Sequence, residues 1–156
     1  MEQNNNSEAD QFWQEKETEY NGKIRYKTFT RLIGTLEEGT KELSGLLYII
    51  DDKLIFEDFE KEGGLLGMFM KKKKSNWEKT TLVIPVSEIT GVTEISQSTA
   101  AARISGQPGP SKPISGLTKL FSIIVNEVLA GDKKGYFFEV LDKSSLTKAI
   151  DDAKRE

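Results

Sequence analysis

The chain of 156 residues contains no histidine and no cysteine. The first absence removes the commonest general base and the commonest metal ligand; the second removes disulfides, thiolate nucleophiles and cysteine metal sites. Catalysis would have to rest on carboxylates, lysine, tyrosine or serine, so the composition points away from an enzyme, and it implies neither a metal nor a cofactor. Also absent is any window of about 18 consecutive apolar residues, which excludes a hydrophobic helix able to span a bilayer. Met1-Glu2-Gln3-Asn4-Asn5-Asn6 lacks both the basic start and the apolar stretch of a signal peptide. The expectation is a cytoplasmic protein, peripheral at most to a membrane.

Charge of one sign is scarce in one place and abundant in another. Residues 1 to 20 hold Glu2, Glu8, Asp10, Glu15, Glu17 and Glu19 against Lys16, whereas the formal charge of the whole chain is only −3. The body from residue 21 onward is therefore mildly basic. An anionic partner is allowed, but the excess is too small to suggest duplex DNA.

What is present is mostly β. Residues 1 to 22 read as a flexible arm, disordered to residue 6 and then a short helix near 8–20, opened by Ser7 and Asp10 at capping-box spacing. Phe12 and Trp13 are expected to dock on the body, which spans 23–156. Strand patterns fall near 24–33, 43–50, 53–59, 80–86, 91–96, 118–129 and 135–141. Leu46 to Ile50 and Leu54 to Phe56 flank Asp51-Asp52-Lys53, the chemistry of a tight hairpin. Pro85 cannot donate to a ladder, which places its segment at an edge, a bulge or a strand end. After Asp142 or Ser144 as cap, Leu146, Ala149, Ile150 and Ala153 make one apolar stripe of a terminal helix.

Two long connections remain. The stretch 97–117, rich in Pro, Gly and Ser, reads as a disordered loop. The stretch 60–78 holds Leu65, Leu66, Met68, Phe69 and Met70 among glycines, then Lys71, Lys72, Lys73 and Lys74, then Trp77. An apolar cluster joined to four lysines suits contact with an anionic lipid surface, or with a protein partner or another copy of the chain. Nucleic acid fits less well, because the aromatics near Lys71 to Lys74 are only Phe69 and Trp77, and the acidic run Glu57-Asp58-Phe59-Glu60-Lys61-Glu62 is adjacent. Asp51-Asp52 and Asp151-Asp152 read as a turn and a helix surface rather than as metal ligands.

Three segments, in this order, carry a resemblance. They are Gly45-Leu46-Leu47-Tyr48-Ile49-Ile50-Asp51-Asp52-Lys53-Leu54-Ile55-Phe56, then Ile84-Pro85-Val86-Ser87-Glu88-Ile89-Thr90-Gly91-Val92, then Tyr136-Phe137-Phe138-Glu139-Val140 followed by the helix. Together they resemble the pleckstrin-homology (PH) superfold, and particularly its GRAM and bacterial PH-like branches. The resemblance implies a barrel of about seven antiparallel strands in two near-orthogonal sheets, closed at one end by the C-terminal amphipathic helix. It also implies a non-catalytic module that binds lipids or proteins. The basic first-hairpin loop of the phosphoinositide-binding branch is replaced by Glu37-Glu38-Gly39-Thr40-Lys41-Glu42, with Lys23, Arg25, Lys27 and Arg31 lying earlier, and Leu146 stands nearest the place of the terminal-helix tryptophan.

Overall fold

A computed structural model of the protein describes residues 3–58, 80–106, 113–131, 134–140 and 142–155. The strands are β1 (Ile24–Thr35), β2 (Gly39–Ile50), β3 (Lys53–Asp58), β4 (Thr81–Pro85), β5 (Ile89–Ser96), β6 (Ile124–Ala130) and β7 (Lys134–Glu139). The helices are α1 (Gln3–Glu19), α2 (Gln97–Ile104) and α3 (Lys143–Lys154). Among the described residues all strand pairings are antiparallel, and they form one sheet in the order β4-β3-β2-β1-β7-β6-β5, where the resemblance implies two. Two meanders are thus sewn together along a single seam, Arg31–Thr35 of β1 against Tyr136–Glu139 of β7.

The connection between the outermost strands dictates the shape. Laid flat, seven strands would hold β4 and β5 roughly 29 Å apart. Only Val86–Glu88 separates them along the chain, a reach of about 15 Å at most from Pro85 to Ile89. The sheet must therefore curl until its edges approach, although no ladder joins β4 to β5 among the described residues. A bulge between Leu32 and Gly34, shared by both pairings of β1, adds twist at the seam.

The concave side holds the main core, with Leu47, Ile49, Phe56, Ile84, Val128 and Phe138 among its members. Helix α3 closes it with Leu146, Ala149, Ile150 and Ala153, the stripe expected from the sequence. Burying each of the two larger aliphatic side chains contributes roughly 1.5–3 kcal/mol. Asp142 is the N-cap; its carboxylate accepts from the Ser145 amide at 3.2 Å and from the Ser145 hydroxyl at 2.6 Å. These bonds hold its pKa below the usual carboxylate value. The β2–β3 hairpin turns at Asp51-Asp52, and Pro85 both ends β4 and lies in an edge strand.

Three expectations are corrected. Helix α1 spans Gln3–Glu19, so it begins before residue 7 rather than near residue 8. The segment 97–104 is helical, because Ser96 accepts from the Thr99 amide at 3.1 Å as N-cap and three alanines favour the helix. The sixth strand begins only at Ile124, preceded by a 3-10 turn at Gly116–Leu120.

Candidate functional site: a strip of the outer sheet face between two helices

In β2 every residue from Leu46 to Ile50 is buried, on both faces. Leu47 and Ile49 point into the curl, while Leu46, Tyr48 and Ile50 point outward beneath α1. That helix supplies Phe12 and Trp13, as expected, and Tyr20 joins them from the turn just after it; the Trp13 ring meets Tyr48 edge-on at 5.3 Å. Its Lys16 Nζ lies 2.8 Å from Glu57 Oε1, and the Tyr48 hydroxyl donates to Glu57 Oε2 at 2.5 Å. Burial alone would lower the pKa of Lys16, but its contacts with Glu57 and Glu19 outweigh that and raise it. Burial and the Glu57 carboxylate both push the Tyr48 phenol upward, so the phenol keeps its proton as a donor.

Helix α2 covers a second part of the same face. Ala100 and Ile104 pack with Ile33, Ile95, Val125 and Phe137, and Arg103 Nε reaches the buried Glu127 Oε2 at 3.1 Å. Both buried carboxylates are thus docking points for helices.

Between the two helices runs a strip that neither covers. Residues opposed across strands share a face. Leu46 opposes Phe29, and Ser44 and Glu139 both oppose Arg31, so Phe29, Arg31 and Glu139 lie on the outer face. Ile123 joins them, two residues before the outward Val125. These residues line a cleft of about 780 Å³ together with Ser44, Glu94 and Val140. Its charges are matched within the protein: Arg31 Nε meets Glu139 Oε2 at 2.7 Å, and Lys119 Nζ meets Glu94 Oε1 at 3.2 Å.

At the mouth of the cleft stands the 3-10 turn. Leu117 and Leu120, three residues apart, lie on one side of such a turn. Their exposures are 75% and 74%, with Phe121 at 85% and Ile123 at 51%. Two backbone bonds hold the turn, Ile114 N to Glu94 O at 2.8 Å and Gln97 N to Ile123 O at 3.0 Å. Gly116 enters it with φ +64°, a conformation that favours glycine.

The residues singled out in the sequence, Leu65, Leu66, Met68, Phe69, Met70, Lys71 to Lys74 and Trp77, lie outside the described residues. Their root is described. The Asp58 amide donates to Thr80 O at 3.1 Å, and the Thr80 amide donates to Asp58 Oδ1 at 2.7 Å. Asp58 opposes Gly45, which opposes Thr30 at the wall of the cleft, placing that root about 10 Å away across two strand spacings. Gly45 permits this course, since a Cβ there would strike the Glu57 carbonyl oxygen.

Among the described residues, no three His, Cys, Asp or Glu side chains gather as a metal would need, and no helix is long and apolar enough to cross a membrane. The strip could not be read from the sequence, because it depends on where β1 leaves α1 for the seam. The exposed Leu117, Leu120 and Phe121 resemble the start of a strand when read as a pattern. No family model matches the chain, and no curated protein matches it.

Proposed function

We propose that the protein is a non-catalytic binding module with a PH-like barrel, attaching weakly to anionic membrane surfaces through residues 63–77. The barrel reading is supported by the strand order, by the three-residue link between the edge strands and by α3 at one end of the curl. The attachment reading rests mainly on the root of the 59–79 segment. A run with six lysines and three glutamates leaves and re-enters the sheet at one hydrogen-bonded point, beside an apolar cleft.

Cosedimentation with vesicles tests it. At roughly 1 kcal/mol per lysine near an anionic surface, replacing Lys71 to Lys74 by Gln should weaken binding to phosphatidylserine vesicles by two to three orders of magnitude at low salt. Raising the salt should weaken the wild type in the same way. Equal binding by wild type and variant would sink the proposal. The rival is a module for protein partners or self-association, which the cleft itself favours; a partner retained at high salt, with no vesicle binding, would establish it.

A further inference from the structure

We infer that Leu117, Leu120 and Phe121, with Ile123 beside them, form an apolar tip that inserts into the interfacial layer of a bilayer. The tip is separate from the 63–77 segment and indifferent to lipid charge; it rests on the reading that the protein works at a membrane. A Leu, Ile or Phe side chain carries on the order of 150–200 Å². At the exposures seen, the four place roughly 500 Å² of apolar surface in water, the upper end of what a monomer leaves exposed.

Shape selects the occupant. Leu117, Leu120 and Phe121 are each about three-quarters or more in solvent, so they project rather than line a pit. A rigid partner would need a matching hollow, whereas a bilayer deforms around a projection. Charge selects it too. Among the described residues, the charged groups of the adjoining cleft are paired, Lys119 with Glu94 and Arg31 with Glu139, so an apolar medium can approach them without stripping an isolated charge of water. Lys119 remains nearly half exposed and can extend toward headgroups along its aliphatic stem. The hydrogen bonds at Ile114 and Gln97 already order the turn, so little entropy is lost on insertion.

The test uses the full chain with two vesicle types, pure phosphatidylcholine and a phosphatidylcholine–phosphatidylserine mixture. Phe121→Asp should lower partitioning about tenfold or more into both, while leaving the unfolding midpoint unchanged because the ring is 85% exposed. Lys71 to Lys74→Gln should lower it only for the mixture. The chain has no cysteine, so Leu120→Cys offers a single site for an environment-sensitive dye. That dye should shift to the blue with both vesicle types, and one at Glu37→Cys, in the β1–β2 turn, should not.

If Phe121→Asp binds like wild type while the lysine variant loses the anionic vesicles, the tip is wrong and the attachment proposal stands. If the wild type binds neither vesicle, both are wrong. A wild-type dimer that Phe121→Asp turns into a monomer, with no vesicle binding, overturns the inference in favour of self-association.

Discussion

Helices α1 and α2 cover the same face of one sheet by opposite means. The first is long and uses bulk, filling the space over β2 and β3 with Phe12 and Trp13, joined by Tyr20 from the turn after it. The second is eight residues long and uses closeness, placing the fully buried Ala100 against Val125, Ile95 and Phe137. Each also sends one long cation to a carboxylate buried in a strand, Lys16 to Glu57 and Arg103 to Glu127. A buried carboxylate adds little net stability, but it fixes where a helix must sit, since any other seat strands a charge. The difference lies in the cation: a lysine can lose its proton, and an arginine in practice does not. In alkali the cation of the α1 dock can therefore be discharged, and the cation of the α2 dock cannot.

The largest expected effect is at Glu57. Glu57→Leu removes the acceptor of the Tyr48 hydroxyl and the closer of the two carboxylates beside Lys16, leaving Glu19, and should cost about 3–5 kcal/mol in urea unfolding. Adding Lys16→Met should recover most of that loss, which would show that the pair specifies position more than it stabilises. No recovery would mean that α1 is held by the ion pair itself. At the second dock, Arg103→Leu should cost about 1.5–3 kcal/mol by removing the charged bond to Glu127.

Alkali should separate the two docks without any mutation. Tyr48 and Lys16 both have folded pKa values above their ordinary 10.0 and 10.5. Above about pH 10 the unfolded chain releases these protons while the folded chain retains them, so the unfolded state binds fewer protons and stability falls as pH rises. Below that range their contribution is fully present. Trp13 fluorescence in a Trp77→Phe background should report loosening of α1 before a probe placed on α2 changes. Simultaneous change would break the contrast. The smallest effect is at the cap: Ser96→Ala should cost about 1 kcal/mol and fray only α2, seen as faster amide exchange near Thr99.

The features legible in the sequence were those written within a few consecutive residues. Asp51-Asp52 between two apolar runs marks a hairpin, and the spacing from Leu146 to Ala153 marks a one-sided helix. Helix α2 was not legible as a helix, because Ala100-Ala101-Ala102 has no apolar period; it is stabilised by a cap and by the room a small residue leaves for close approach. The ion pairs were hidden by distance, 41 residues separating Lys16 from Glu57 and 24 separating Arg103 from Glu127. At the candidate site, composition identified residues 63–77 as unusual, but it could not reveal a strip bounded by two helices. Nor could it tell that Leu117 and Phe121 face water, since an apolar residue looks the same whichever way it points.

The seam between β1 and β7 governs the order in which this molecule can be made. Its partners, such as Arg31 and Glu139, lie 108 residues apart, whereas β1 to β4 and α1 all belong to the first 85 residues. A chain emerging from the ribosome can pair its first four strands early, but the β7-facing edge of β1 must wait until the last strand appears. Until then, the backbone groups that will form the seam are open to any other strand in the cell. The half-made protein is more hazardous than the finished one, and the interval between the synthesis of residues 35 and 139 sets how long that hazard lasts.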